Sequence, residues 1–373
     1  MSRSALALKL LTSRAHGSLV AAPTFGLPEE IGGVRNWDYR YTWIRDASFT
    51  MYALIRLGFH DEARDFSRWV QDRCAEADPA GSLQVVYGLD GRRDLTEENL
   101  PHLRGYRGSR PVRIGNAAYA QLQLDIYGEL LDAIYLADRY AEPIHYDLWL
   151  HVVRLVDWVC ANWRRPDEGI WEVRLGRRHF LYSRIQCWVA IDRAIRLARR
   201  RSLPCDAARW EAARDAVFRD VFDGFWDAER GAFVQSVGSK TIDAAALLMP
   251  LFRMVSPTDP RWLSTLRAIE TDLVEDSLVY RYRNPDGLVG GEGTFSSCTF
   301  WYAENLSRAG HLGRARVTFE KMLAGARQPP RPVLRGARPC GEHLGNFPQA
   351  FTHLALISAA YDLDRRLSAA GHP

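Results

Sequence analysis

The sequence lacks any run near the roughly 18 uninterrupted apolar residues that a helical membrane span needs, which excludes an integral helical membrane protein. Met1 leads into SRSALALKLL, whose apolar stretch is short and followed by no small-residue cleavage site. A cytoplasmic location is therefore expected. Lysine is nearly absent: of 49 basic side chains only Lys9, Lys240 and Lys321 are lysine. The arginine excess is spread along the chain instead of packed into one tract, and the net charge is only +4, so nucleic acid is not an expected partner. Six cysteines (74, 160, 187, 205, 298 and 340) show neither CxxC nor His-paired spacing. That excludes a disulfide framework and a zinc site and leaves reduced, mostly buried thiols. No metal and no organic cofactor is expected. No linker or low-complexity stretch is long enough to divide the chain, so residues 1–373 read as one domain.

What is present is apolar periodicity of 3.6 residues, clearest over 46–58, 61–76, 115–139 and 145–163. It continues over 183–201, 206–222, 240–253, 259–274, 297–309, 311–326 and 347–367, with a leading segment at 3–13. About twelve helices result, and no half of the chain is rich in strands. Loops at 32–45, 89–114, 164–182, 279–296 and 327–347 carry Trp, Tyr, Arg, Gly and acids. Helical hairpins with alternate long loops predict an all-α closed ring of helix pairs, its functional groups gathered where a rigid scaffold positions those loops.

The loop chemistry points to sugars. In GGVRNWDYRYTWIRDASF, Trp37, Tyr39, Tyr41 and Trp43 interleave with Asp38, Arg45 and Asp46, giving flat apolar faces beside groups that grip hydroxyls. Core-filling aromatics with Arg45 paired to Asp46 or Asp38 would be the structural alternative. In RPDEGIWEVRLGRRHFLYSRIQCW, Glu172 follows Trp171; an indole against a carboxyl desolvates it and favours the protonated, proton-donating form. The alternative there is a surface ion pair with Arg174 or Arg178. VYRYRNPDGLVGGEGTF adds Arg281, Arg283 and Glu292, and RGYRGSRPVRIGNAAYAQLQLDIYGE adds Arg110, Arg113 and Asn116. GGEG lacks the flanking strand and Lys-Ser/Thr pair of a phosphate loop. His343 and His353 are isolated near helix ends and read as structural more readily than as proton shuttles.

Taken in order, NWDYRYTWIRDASF, GSRPVRIGNAAYAQLQLDIYGE, PDEGIWEVR with RHFLYSRIQCWVAIDR, YRYRNPDGLVGGEGTFSSCTFWYAEN and LGNFPQAFTHLALISAA resemble glycoside hydrolase family 15 from about residue 3 to 367. The family comprises glucoamylases, glucodextranases and bacterial trehalases. The resemblance implies an (α/α)6 barrel, usually preceded in bacterial members by a β-rich domain that this chain lacks. It also implies inverting hydrolysis of α-glucosidic bonds, with two carboxyl groups about 6.5–9.5 Å apart. Glu172 falls at the general acid. By the same carry-over, Arg45 and Asp46 hold the terminal glucose, Arg283 adds a polar contact, and Tyr39, Trp43 and Trp171 line the pocket. Asn116 and Glu292 lie in family motifs. The expected ligand is a small or oligosaccharide α-glucoside, with glucoamylase-type release of glucose as the first reading, trehalose as the second, and an inactive sugar-binding remnant as a third of another class.

The family's general base is a glutamate in S-E-[EQ], a few residues before a run that is intact here as GEHLGNFPQAF from Gly341. The preceding residues read QPPRPVLRGARPC, without a carboxylate from Gln328 to Cys340; Glu342 occupies a later motif position. Four of the twelve residues from 328 to 339 are proline and three are arginine. Synonymous codons can be chosen for QPPRPVLRGARP that, read one base later, give SHLGLYSEELDP and join directly to CGEHLGNFPQAF. The stretch 328–339 is therefore read as out of frame, with the base expected at the position now held by Arg335.

Overall fold

The computed structural model describes residues 1–78, 81–174, 176–285, 287, 293–327, 336–337 and 343–371. Glu292, Arg335, Cys340 and Glu342, and with them almost all of 328–339, lie outside the described residues. Eleven α-helices appear among the described residues: α1 Ser2–Leu11, α2 Ala47–Leu57, α3 His60–Ala75, α4 Asp125–Tyr140, α5 Tyr146–Asn162, α6 Leu181–Arg201, α7 Ala207–Gly224, α8 Pro260–Leu273, α9 Ser296–Arg308, α10 Leu312–Arg327 and α11 Ala350–Ala369. The described strands are two-residue pieces, paired antiparallel in small ribbons between the helices.

An inner ring runs α2, α4, α6, the 3-10 segment Ala244–Leu248, α9 and α11, and closes where α11 packs on α2. The outer helices α1, α3, α5, α7, α8 and α10 lie against it. This is the (α/α)6 barrel. Sequence separates the two layers. In α9, twelve of thirteen residues are buried, because an inner helix is covered on both sides. In α3 the buried residues Ala63, Phe66, Trp69, Val70, Arg73 and Cys74 fall on one stripe, as an outer helix requires. Starts and stops follow side-chain chemistry. Asp259 accepts from the amides of Arg261 and Trp262 in front of Pro260. Gly58 closes α2 at φ +77°, a conformation that suits glycine, and turns the chain into α3 within two residues.

Two predicted helices come out shorter. The segment 115–139 becomes a 3-10 turn Ala117–Ala120 followed by α4 from Asp125. Between them the amides of Leu122 and Leu124 donate to the carboxylates of Glu168 and Asp167, both at 2.9 Å, so a neighbouring loop takes the donors a continuous helix would use. The segment 240–253 keeps only the 3-10 turn, since Pro250 offers no N–H to extend the ladder.

The ring has polarity. The loops that carry the sugar motifs enter the N-termini of the inner helices, where oriented backbone amides favour negative charge. At the other end, Arg56, Arg139, Arg199, Arg308 and Arg366 occupy last turns and suit the opposite partial charge. Buried Arg193 ties α6 to α4 and to the turns that follow the 3-10 segment, donating to Asp132 at 2.5 Å, Asp192 at 2.6 Å and the Phe252 carbonyl at 2.9 Å. His353 is buried against α1, its Nδ1 3.0 Å from Ser4 Oγ, and burial pushes its pKa down to about 4. It is a neutral packing residue whose side chain faces α1. Cys74, Cys187 and Cys298 are buried and Cys160 and Cys205 half-buried, none in a disulfide. No described helix is long and apolar enough to cross a membrane.

Candidate active site

One cavity at the N-terminal mouth of the inner ring gathers the sugar motifs. Tyr39, Trp43, Arg45 and Asp46 reach it from the segment before α2, Asn116 from that before α4, and Trp171 and Glu172 from that before α6. Phe295, Gln349 and Phe351 complete the wall from the starts of α9 and α11.

Glu172 stands at its centre with a left-handed φ of +56°, a conformation that a non-glycine residue adopts only when its surroundings impose it. The next amide shows how: Val173 N–H bonds back to Glu168 at 3.3 Å, and Glu172 N–H to Gly169 at 3.1 Å. The carboxyl is asymmetric. Oε1 accepts from Trp43 Nε1 at 2.8 Å and from Arg45 Nη1 at 3.1 Å, while Oε2 has no hydrogen-bond partner among the described residues. With Oε1 accepting twice, a proton on this group belongs on Oε2.

The indole that holds Glu172 is thus Trp43, and not the adjacent Trp171. Trp171 turns its Nε1 to Asp243, at 2.9 and 3.0 Å from the two carboxylate oxygens. The surface ion pair with Arg174 or Arg178 does not form either: Arg174 bonds Glu97, and the backbone of Arg178 pairs with Asp167. Arg45 donates to Asp46 at 3.1 Å and to the Ile170 carbonyl at 3.0 Å, besides Glu172. Burial alone would lower its pKa, but Asp46 and Glu172 more than offset this and keep it charged. Asp38 is engaged elsewhere, with Arg40. Tyr39 donates to Glu29 at 3.2 Å, and burial holds its phenol protonated. Asn116 lines the cavity, yet its amide is spent on the Asp38 carbonyl at 3.1 Å and the Ala118 amide at 3.0 Å. It shapes the wall by fixing backbone.

Arg283 is not brought to the cavity. It pairs with Glu275 at 2.9 Å and lies over Tyr280 at 4.3 Å, half-exposed on the outside of the ring. Arg281, two residues earlier, is the buried one, 5.1 Å from the Trp171 ring and 5.4 Å from that of Phe295. Trp37, one of the flat aromatic faces of the first sugar motif, does line the cavity; sequence reasoning passed over Arg35 and Asp243, the latter in a helix-like stretch with nothing to single it out. No group of three His, Cys, Asp or Glu side chains that could hold a metal occurs among the described residues.

Beneath the cavity, Asp125 opens α4 fully buried, and neither carboxylate oxygen has a hydrogen-bond partner on another described residue. Burial, then the nearby charge of Asp167, raises its pKa to about 7 against the pull of Arg45; burial likewise raises Asp167 to about 6. An unfolded aspartate releases its proton near pH ~3.9. Over the window from there to about 7 the folded chain therefore binds more protons, and stability falls as pH rises. The urea midpoint is expected to decline across that window and to level off above it. Asp125→Asn should flatten the decline; an unchanged slope would show that Asp125 is ionised in the folded chain.

Known proteins share the family and the fold of this chain. Trehalase of Mycobacterium tuberculosis is 45% identical over 98% of this chain and 54% of its own length. Trehalase of Thermoplasma acidophilum is 39% identical over 97% of this chain and 62% of its own. The chain thus spans a little over half the length of the curated relatives it matches. A bacterial glucoamylase solved in complex with acarbose shares the fold, with a TM-score of 0.75 at 16% identity over 97% of this chain and 55% of that one. The description "Glycosyl hydrolases family 15" matches residues 1–328, and with it the chain belongs to glycosyl hydrolases family 15.

Proposed function

We propose that this chain is the catalytic domain of an enzyme that hydrolyses α,α-trehalose with inversion, Glu172 acting as general acid. The observation that carries the role is the asymmetric carboxyl: two donors occupy Oε1, so the transferable proton sits on the oxygen without a partner. Water attacks the opposite face of the sugar under a carboxylate base. Arg45, Asp46 and Arg281 grip the hydroxyls of the ring that is attacked, and Trp43 and Trp171 wall it. The relatives named above support trehalose over the α-glucans that the sequence alone put first, because the glucoamylase likeness is one of fold. We further infer that residues 328–339 are read out of frame; the family match ends at residue 328, where that stretch begins. The base then belongs at position 335. Its neighbour Gly336 pairs antiparallel with Phe295 of the cavity wall. The chain as written, without a carboxylate from 328 to 340, is a sugar-binding form of the enzyme with depressed turnover.

The test is proton NMR of sugars mixed with a chain carrying SHLGLYSEELDP at 328–339. Trehalose should be cleaved faster than maltose or soluble starch, and β-glucose should appear first alongside its α anomer. A preference for maltose or starch would return the glucoamylase reading, and release of α-glucose alone would remove inversion.

A further inference from the structure

The cavity has a depth axis that its side chains report. Exposure rises from 9% at Asp46 and 14% at Arg45 to 24% at Glu172 and 37% at Arg174. All four line the same space. A ring held by Arg45 and Asp46 is therefore at the closed end, and Glu172 stands midway. The ring on the far side of the broken bond must lie toward the rim, where Arg174 is found two residues beyond Glu172.

The rim is a built structure. Trp37 carries two guanidinium groups over its ring, Arg113 at 4.8 Å and Arg174 at 4.6 Å. Glu97 joins the same two arginines, with Oε1 3.3 Å from Arg113 Nε and Oε2 3.3 Å from Arg174 Nη2, and is itself fixed by the Ala117 amide at 3.3 Å. The stack costs Arg174 much of its rotamer freedom before any ligand arrives, so less is lost on binding. Among the described residues the guanidinium spends one donor on Glu97, and its planar fork has five. A pre-set fork beside a polyol suits adjacent hydroxyls of a second sugar ring.

Resting on the reading of the site as one for a two-ring α-glucoside, we infer that Arg174, set by Trp37 and Glu97, binds the leaving glucose and determines preference for a disaccharide. The deep ring makes no use of it. Binding to the chain as it stands separates the two rings. Trehalose contains both, whereas methyl α-D-glucoside contains only the ring for the closed end.

Calorimetric titration of the full chain with each sugar is the experiment. Arg174→Ala should raise the Kd for trehalose about 10-fold or more, the loss typical of a hydrogen bond to a charged group, and change that for methyl α-D-glucoside less than about 2-fold. Glu97→Gln keeps the guanidinium but loosens it, and should weaken trehalose in the same direction by a smaller factor. Equal weakening of both sugars would make Arg174 a structural residue and overturn the inference, as would trehalose binding that ignores both substitutions. If the unaltered chain binds neither sugar, the two-ring reading of the site itself fails.

Discussion

Exchanging QPPRPVLRGARP at 328–339 for SHLGLYSEELDP is expected to raise turnover of trehalose by about 10²–10⁴-fold, the usual worth of a general base. Inversion needs a carboxylate across the sugar from Glu172 to take a proton from water, and the present stretch offers none. The exchange also removes four prolines and three arginines, so a gain could come from restored loop packing alone. A third chain with SHLGLYSQQLDP separates the effects, since it has nearly the same shape without the two glutamates. Initial rates of glucose release from trehalose should rank the SEEL chain far above both others. Equal rates for the SEEL and SQQL chains would place the base elsewhere. Calorimetric binding of trehalose should differ little between the original and the SQQL chains, because Arg45, Asp46 and Arg174 are common to both.

The helical ring was legible because its inner and outer members differ in kind. Outer α3 buries a single stripe, whereas inner α9 leaves almost no face exposed, its Ser, Thr, Glu and Asn side chains buried together with the apolar ones. Periodicity misjudged two places, for different reasons. Over 115–124 a tertiary contact intervened, with Glu168 and Asp167 taking amides from more than 40 residues away in sequence. At 244–253 the reason was local and readable, a proline inside an apolar run.

The site was legible where one short segment supplies several groups. Tyr39, Trp43, Arg45 and Asp46 all reach the cavity from eight consecutive residues. It was not legible across segments. The bond between Trp43 and Glu172 spans 129 positions, and nothing local distinguishes it from the adjacent pair Trp171 and Glu172. The choice between Arg281 and Arg283 was of the same type: Glu275 draws the second outward, and aromatic rings bury the first. Chain order places such residues on a loop, but only their partners decide which side they face.

Glu172→Gln tests the acid with little disturbance, because the amide oxygen can still accept from Trp43 and Arg45 at the Oε1 position. What changes is the other end, where an amide NH2 replaces the oxygen that carries the proton. In the chain with SHLGLYSEELDP, kcat on trehalose should fall about 10²–10⁴-fold. KM should change little, since the sugar's own contacts with Arg45, Asp46 and Arg174 remain. α-D-Glucosyl fluoride offers the decisive contrast: fluoride departs without needing a proton, so its hydrolysis should fall less than about 10-fold in the same variant. Attack by water still needs the base, and the fluoride reaction should therefore collapse in the SQQL chain while surviving Glu172→Gln. If both substrates lose equally in the glutamine variant, Glu172 is holding Trp43 and Arg45 in place and the proton comes from another group. If only trehalose loses, the bond that requires protonation is the one that Oε2 serves.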